Sequence, residues 1–257
     1  MGEAGGGPAG LGKVVAAMRL PVIHGMIRRR ILVNFRVDPQ VMQAQLPSRF
    51  QPKLHRGNSI AGICMIRLES VRPRLMPRVL GLSSENAAHR VAVRWLSQEG
   101  EKEGVFIPRR DTGSVMNHIV GGRLFPGEHH RARFDVQEDS ERISISMRSD
   151  DGEVSVEVQG RIQDSLPSSS CFSSVAEASA FFEPGAVGYS VTSDKGRLDG
   201  MELRTQGWSV QPLQVEQVRS SYFTDVTKFP KGSVEFDCAL IMRNLAHEWH
   251  SCEDLHV

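Results

Sequence analysis

Three segments in the middle of the chain alternate apolar and polar residues with the period of a β-strand. They span residues 132–137, 142–148 and 153–163, and short turns rich in Asp, Glu, Ser and Gly separate them. In the second segment Ile143, Ile145 and Met147 are the apolar positions. Because successive side chains of a strand point to opposite faces, this pattern predicts an antiparallel meander with one buried face and one wet face.

The rest of the chain shows more strand patterns than helix patterns. Asp38 followed by Pro39 opens one short helix, since Asp is a favoured N-cap and Pro fits the first turn. Two more short helices are predicted over residues 114–120 and 173–182. So many consecutive strands predict the α+β class, mostly antiparallel β, closed into a barrel or a strongly curved sheet that leaves few free edges. The other predicted strands span residues 28–37, 59–71, 87–96, 105–108, 189–192, 201–210, 215–224 and 233–242.

The 257 residues contain no clear repeat and no low-complexity linker, which indicates a single folded domain. Residues 1–20 begin with a Gly-rich stretch and are predicted to form a flexible segment, with a short amphipathic helix over residues 11–20. The folded domain is expected to span residues 21–257.

The balance of charges excludes some classes of partner. The net charge is only +1, from 31 basic and 30 acidic residues, which argues against a dedicated binder of nucleic acid or of anionic membranes. No apolar run is long enough to span a membrane, and the N-terminus lacks the apolar core of a signal peptide. Cys64 and Cys238 lie in apolar runs and no CxxC pair occurs, so we expect no disulfide framework and a reducing, cytoplasmic location. The sequence leaves open whether the protein forms a homo-oligomer.

One stretch, Asn117 to Phe134, concentrates polar chemistry between apolar segments. It reads NHIVGGRLFPGEHHRARF and contains His118, His129 and His130 beside one carboxylate. These groups could hold a metal ion, but their spacing matches no standard motif, and two adjacent strand residues would face opposite sides. We therefore predict no metal and no cofactor, and keep a metal-dependent enzyme as an alternative.

Charged residues near two other strands give further candidates. Arg28 opens the first strand and could grip an anion, whereas Arg29 and Arg30 are interpreted as a solvated strand end. Glu85 and His89 lie close together in sequence, and a carboxylate with an imidazole can share acid–base work. A loop carboxylate that caps backbone amides explains Glu85 equally well.

Two more clusters are weaker. Arg109 and Arg110 could clamp an anion, but an ion pair between Arg110 and Asp111 is the favoured interpretation. The sequence HEWH at residues 247–250 is not the HExxH zinc motif, because its second histidine comes one residue too early for a shared helix face. We interpret it as a C-terminal surface segment.

Several long motifs are similar to those of one bacterial family. They are ILVNFRVDPQVMQAQLPSRFQPKL, SSENAAHRVAVRW, IPRRDT, GGRLFPGEHHRARF, GRLDGMELRTQGW and GSVEFDCALIMRNLAHEW, in this order between Arg28 and Trp249. On these motifs the chain is identified as a member of the family called domain of unknown function 2071. That family resembles acetoacetate decarboxylase in fold, which implies an acetoacetate-decarboxylase-like curved sheet or barrel.

The resemblance also implies positions for a site. The decarboxylase forms a Schiff base between a lysine and a ketone, beside a second lysine, an arginine and a loop glutamate. Arg28 falls on the arginine and Glu85 on the loop glutamate, while a second acidic position falls near Cys64. The aromatic-Pro dipeptide before the two lysines matches residues 125–126, but Gly and Glu follow it here, at residues 127–128.

Together these observations lead to the hypothesis of a protein that binds a small ligand, an organic anion such as a carboxylate, on this fold. A lysine-independent acid–base enzyme and a non-catalytic binding or sensing protein both stay open, as does a metal-dependent enzyme that uses His118, His129 or His130. We assign ligand contacts to Arg28, Arg110, Asn117 and Arg123, and proton transfer to Glu85, His89 and His130.

The missing lysines generate a prediction about the reaction. A Schiff base needs a free primary amine, which Gly127 cannot supply, and the carboxylate of Glu128 would disfavour an activated amine beside it. We expect that borohydride added to the protein with acetoacetate traps no lysine adduct in the intact mass spectrum. Recovery of a lysine carrying the reduced ketoacid would contradict this expectation.

Overall fold

Strands make up most of the computed structural model, which describes residues 22–120 and 127–257. The predicted segment over residues 1–20 and the candidate Arg123 lie outside the described residues. The described strands are β1 (Ile23–Val37), β2 (Gln51–Pro52), β3 (Leu54–His55), β4 (Asn58–Pro73), β5 (Leu82–Ser97), β6 (Gly100–Thr112), β7 (His129–Glu138), β8 (Arg142–Ser149), β9 (Ser155–Ile162), β10 (Val187–Val191), β11 (Arg197–Thr205), β12 (Gln211–Ser220), β13 (Val234–Ser251) and β14 (Leu255–His256).

The helices are short and lie between strands, as predicted. The side chain of Asp38 accepts hydrogen bonds from the backbone N–H groups of Gln40 and Val41, which confirms it as an N-cap. Within the described residues no helix is both long and apolar enough to cross a membrane. The helices are α1 (Pro39–Gln45), α2 (Val115–Val120) and α3 (Val175–Phe182), with a 3₁₀ turn at Arg78–Leu80.

Five long strands form a wall in the order β13–β1–β4–β5–β6, and this wall belongs to two closed rings. At one edge, β6 pairs with β10 near Phe106 and with β7 near Asp111. At the other edge, β13 pairs with β12 near Leu240 and with β11 near Trp249. The strands β7, β8, β9 and β12 close a larger ring, and β10 and β11 close a smaller one. The expected α+β class and curved, mostly antiparallel sheet are confirmed.

The larger ring is filled with side chains. Its apolar cluster includes Ile31 and Ile63 of the wall together with Ile145 and Val156 of the meander, all of them fully buried or nearly so. The predicted meander is confirmed, because β8 pairs with both β7 and β9. The smaller ring keeps an internal space, which is described below.

The wall strands are longer than the sequence patterns predicted, because they continue into charged segments. Arg29 is only 1% exposed, so it is not part of a solvated strand end. The HEWH segment lies in β13 instead of forming a C-terminal surface segment, and His247 is buried. Buried polar side chains interrupt the hydrophobic pattern that marks a strand, which explains why pattern recognition stopped too early.

A β-bulge at Arg28 decides which side chains of β1 face the smaller ring. Ile27 pairs with Leu68 and Arg29 pairs with Arg67, so Arg28 is an extra residue in the β1–β4 ladder. An extra residue reverses the alternation that follows it. The side chain of Arg30 therefore shares the face of Ile27, and Arg28 does not.

A second bulge acts in the same way on β6. His89 pairs with Arg109 and Val91 pairs with Phe106, so β6 contains one more residue than β5 over this interval. The shift brings Arg110 onto the face that carries Ile107. The two bulges thus set which arginines enter the smaller ring.

Close contact between β1 and β4 generates a stability prediction. A Cβ atom on Gly62 would lie 2.1 Å from the carbonyl oxygen of Val33, and a backbone atom cannot rotate away. We expect Gly62→Ala to lower the free energy of unfolding by about 2–3 kcal/mol, measured by urea denaturation. Gly196→Ala is the matched control, because its nearest neighbour is a side-chain oxygen 3.5 Å away. Equal stability of the two variants would contradict the close packing.

Candidate functional site

The smaller ring encloses a cavity of about 120 Å³. Each of its seven strands contributes at least one residue to the wall of this cavity, and so does β7. The lining residues are Arg30, Cys64, Ile66, Leu68, Asn86, Ala87, Ala88, Arg90, Val105, Ile107, Arg110, Asp111, His129, Gly185, Ala186, Gly188, Met201, Leu203 and Trp249.

Three arginines, Arg30, Arg90 and Arg110, lie in this lining. The Nε of Arg30 donates to the Sγ of Cys64 at 3.3 Å, and a terminal nitrogen of Arg90 donates to the Oδ1 of Asn34. The Nε of Arg110 donates to the Oγ of Ser190 at 2.9 Å. Within the part of the chain that the structure describes, none of the three forms a salt bridge with a carboxylate.

Burial affects the charge of two of these groups. It lowers the pKa of Arg90 and of Arg110 to about 10, which still leaves both guanidinium groups charged at neutral pH. Asp199 partly offsets the effect at Arg110, but its own oxygens are engaged by the N–H of Gly127 and by Arg197. Buried charge without a counter-charge is unfavourable, so an anion in the cavity would stabilise this arrangement.

Arg28 lies outside the cavity. Its Nη1 donates to the Oδ1 of Asn244 at 2.7 Å on the protein surface. Arg30, which the sequence pattern had assigned to a solvated strand end, takes the cavity-facing position of β1 instead. The bulge at Arg28 is the physical reason for this correction.

Glu85 lies within β5 and not in a loop, and it does not line the cavity. Its Oε2 accepts from Arg29 at 2.6 Å, and Arg29 also contacts Glu138 at 2.8 Å. Burial raises the pKa of Glu85, while the charges of Arg29 and Arg67 oppose that shift. Glu85 therefore serves as the counter-ion of a buried arginine, and it does not converge with Arg28.

The two histidines assigned to proton transfer also lie elsewhere. His89 is completely buried, and its ring centroid lies 4.4 Å from that of Tyr222. Burial lowers the pKa of His89 to about 3, and the charge of Arg109 adds to this shift. The Nδ1 of His130 lies 3.2 Å from a carboxylate oxygen of Asp151, again outside the cavity lining.

The ion pair expected between Arg110 and Asp111 is formed by Arg109 instead. Arg109 contacts Asp111 at 2.9 Å, Asp151 at 2.8 Å and Glu153 at 2.7 Å. Adjacent strand residues face opposite sides, so this network turns Arg110 the other way, into the cavity. Of the ligand-contact candidates, Arg110 is the one that the described structure places in the lining.

The histidines near residue 118 each make a separate contact, two of them with backbone carbonyl oxygens and His130 with Asp151. The Nδ1 of His118 lies 2.6 Å from the carbonyl oxygen of His129, and the Nδ1 of His129 lies 3.2 Å from that of Gly127. His129 lines the cavity, where burial and Arg110 lower its pKa to about 3. Among residues 22–120 and 127–257, no three His, Cys, Asp or Glu side chains form a group that could hold a metal ion.

Besides Arg30, two further lining residues that bear on the chemistry of the cavity, Arg90 and Cys64, were not selected from the sequence. Arg90 shares a face with Ala92 in the alternating segment AHRVAVRW, but nothing in that alternation distinguishes a cavity from solvent. Cys64 was interpreted as a buried apolar residue, and it is indeed only 8% exposed. Asn117 lies in α2, and its contact with a ligand stays a prediction.

The fold is that of the acetoacetate decarboxylase-like proteins. A crystal structure of acetoacetate decarboxylase from Legionella pneumophila matches with a TM-score of 0.57 at 11% identity, covering 93% of this chain and 90% of that one. The enduracididine biosynthesis enzyme MppR, in complex with pyruvate, matches with a TM-score of 0.57 at 11% identity and covers 98% of both chains. An acetoacetate decarboxylase-like enzyme from Sphingomonas wittichii matches with a TM-score of 0.56 at 10% identity over 92% of both chains.

Within this fold class the sequence defines the family. The model of the family DUF2071, described as an uncharacterized conserved protein, matches residues 25–236, and the chain belongs to this family. No curated protein matches the chain in sequence. The family inferred from the motifs is thereby confirmed, and with it the fold that the resemblance implied.

The buried position of His89 generates a prediction about pH. The ring is neutral in the folded state down to about pH 3, whereas the unfolded chain takes up a proton near its ordinary pKa of about 6.5. Stability is therefore fully present above about pH 6.5 and falls as the pH decreases from there toward about 3. We expect His89→Phe to reduce the slope of unfolding free energy against pH by up to about 1.4 kcal/mol per pH unit.

Urea denaturation at several values between pH 4 and pH 7 measures this slope. His256→Gln serves as the control, because His256 is exposed. An unchanged slope in His89→Phe would show that His89 already takes up its proton in the folded protein.

Proposed function

We propose that this protein binds a small organic anion, with a carboxylate as the simplest case, in the cavity of the smaller ring. The observation that carries the proposal is the set of three arginines, Arg30, Arg90 and Arg110, none of which has a carboxylate partner among the described residues. Guanidinium groups hold carboxylates through paired, charge-assisted hydrogen bonds.

The size and walls of the cavity restrict the ligand further. A volume of about 120 Å³ corresponds to on the order of ten non-hydrogen atoms, because on this measure of volume an atom of the size of a water molecule needs about 10–15 Å³. Apolar side chains, including Ile66, Ile107 and Leu203, make up much of the remaining wall. The ligand is therefore a compact molecule with a charged end and an apolar remainder.

The cavity offers little for the acid–base chemistry that the sequence suggested. Glu85, His89 and His130 lie outside its lining, and no lysine occurs among the described lining residues. His129 is the imidazole present there, and it is neutral at pH 7 because its pKa is held near 3. Anion binding is therefore the function proposed for these residues.

Two further features fit this proposal. One fold neighbour, MppR, has been solved with pyruvate, which is itself a small carboxylate. All four cysteines of the chain are free thiols, and we propose a reducing compartment such as the cytoplasm as its location.

Calorimetric titration with propionate, and with uncharged propionamide as the reference ligand, tests the proposal. We expect propionate to bind and Arg110→Met to weaken its binding roughly tenfold to a hundredfold, because a hydrogen bond to a charged group contributes about 1.5–3 kcal/mol. Propionamide is expected to bind more weakly than propionate to the wild-type protein.

Arg28→Met is the matched control, because it removes an arginine from the same wall outside the cavity. Its affinity for propionate is expected to equal that of the wild-type protein. If Arg28→Met and Arg110→Met lost the same amount of affinity, the anion would bind at the protein surface and not in the cavity. Equal affinity for propionate and propionamide would remove the proposed role of the arginines altogether.

A further inference from the structure

Cys64 occupies an unusual position for a buried thiol. It lies on β4 with its side chain in the cavity lining, and its Sγ accepts the hydrogen bond from the Nε of Arg30 at 3.3 Å. Arg90 and Arg110 line the same cavity. Cys64 therefore contacts one cavity arginine directly and shares the cavity wall with the other two.

The other buried cysteines have the opposite surroundings. Burial raises the pKa of Cys171 to about 12, and the carboxylate of Asp237 adds to the shift. Burial and the same carboxylate raise the pKa of Cys238 far above its ordinary value. Both of these thiols face a negative charge, whereas Cys64 faces cations, which is the setting in which a protein thiol acts as a nucleophile.

A second observation points to a ligand beside Cys64. Arg90 is only 4% exposed, and its Nε has no hydrogen-bond partner among the described residues. Buried donors of charged groups are normally satisfied, so an unpartnered one in a cavity wall is a position for a ligand acceptor.

The number of cations exceeds what one carboxylate requires. A single arginine can hold a carboxylate through two parallel hydrogen bonds. Three arginines leave donors for a second oxygen that becomes negative during a reaction, and catalytic sites place such donors where charge develops. Attack of a thiol on a carbonyl carbon next to the carboxylate creates an oxygen of this kind.

We propose that Cys64 is a nucleophile that adds reversibly to the carbonyl carbon of a 2-oxo carboxylate held by the cavity arginines. This proposal rests on the anion-binding function proposed above. In the addition, the S–C bond forms, the π pair of the C=O bond moves to oxygen, and that oxygen receives the proton that the thiol gives up. The product is a thiohemiketal, and the step requires no oxidant, reductant or further reactant.

Alkylation of the four cysteines tests the environment of the thiol. Iodoacetate and iodoacetamide react with thiols in the same way, by forming an S–C bond and releasing iodide, but only iodoacetate is an anion. We expect the ratio of the iodoacetate rate to the iodoacetamide rate to be at least about tenfold higher at Cys64 than at Cys252, because the cations concentrate the anionic reagent. Peptide mass spectrometry gives the rate at each cysteine, and Cys252 is the partly exposed internal reference.

Arg110→Met is expected to reduce this ratio toward that of Cys252, while Arg28→Met leaves it unchanged. A ratio at Cys64 equal to or below that at Cys252 in the wild-type protein overturns the proposal. If propionate binds as expected but Cys64 resists both reagents, the nucleophile is excluded and the anion site stands. If propionate also fails to bind, the proposed function fails with it.

The adduct itself can be observed with pyruvate labelled with ¹³C at its carbonyl carbon. We expect a protein-dependent ¹³C resonance of a tetrahedral carbon, present in the wild-type protein and in Cys252→Ala and lost in Cys64→Ala. Persistence of that resonance in Cys64→Ala would assign the addition to another group and overturn the proposal. The melting temperature of each variant verifies that it is folded.

Discussion

The structure depends on one constraint, which is that every edge of a five-stranded wall must be paired. The outer strands β6 and β13 are too long for a single neighbour, so each is paired along one part of its length by one strand and along the other part by a different strand. Unpaired backbone groups at a sheet edge are costly when buried and prone to association when exposed. Two closed rings on one wall satisfy these groups, and they produce one filled core and one cavity.

This architecture determines which charged groups are paired, because one face of the wall borders the filled larger ring and the other face borders the cavity of the smaller ring. On the side of the larger ring, Arg29 is neutralised by Glu85 and Glu138, and Arg109 is neutralised by Asp111 and its neighbours. On the side of the smaller ring, Arg30, Arg90 and Arg110 line the cavity, and none of them forms a salt bridge among the described residues. An ion pair that is already formed stabilises the fold or leaves its free energy of unfolding nearly unchanged. A charged group that lines a cavity is available to bind a ligand.

The sequence was a good guide to the fold and a poor one to the site, for a physical reason. Alternation in the meander and the Asp38-Pro39 helix start are local patterns, and both are present as predicted. Which face of a strand meets the cavity depends on bulges, and an extra residue leaves no mark in the apolar–polar pattern when its neighbours are all polar. In the run Arg28-Arg29-Arg30, composition alone could not indicate which arginine turns inward.

The same limit explains the outcome for the other candidates. Arg110 was predicted as a ligand contact and lines the cavity, but the favoured ion pair was assigned to it instead of to Arg109, one residue away. His89 and Glu85 were chosen for being close in sequence to each other, and both turn toward the larger ring. Only the pairing register of the strands, which depends on residues far apart in sequence, shows which of two neighbouring side chains faces the cavity.

The bulge at Arg28 has a counterpart across the strand pair. Asn244 has a φ of 58°, and the apolar face of β13 passes from Met242 to Leu245, so this strand also contains one extra residue. Arg28 and Asn244 are joined by a hydrogen bond, and the register of β1 and β13 runs past both without a shift. The loss of either residue alone would misalign the ladder, whereas the loss of both would preserve it. The alignment of β1 with β13 beyond this point is thus set by the two extra residues together and by neither of them alone.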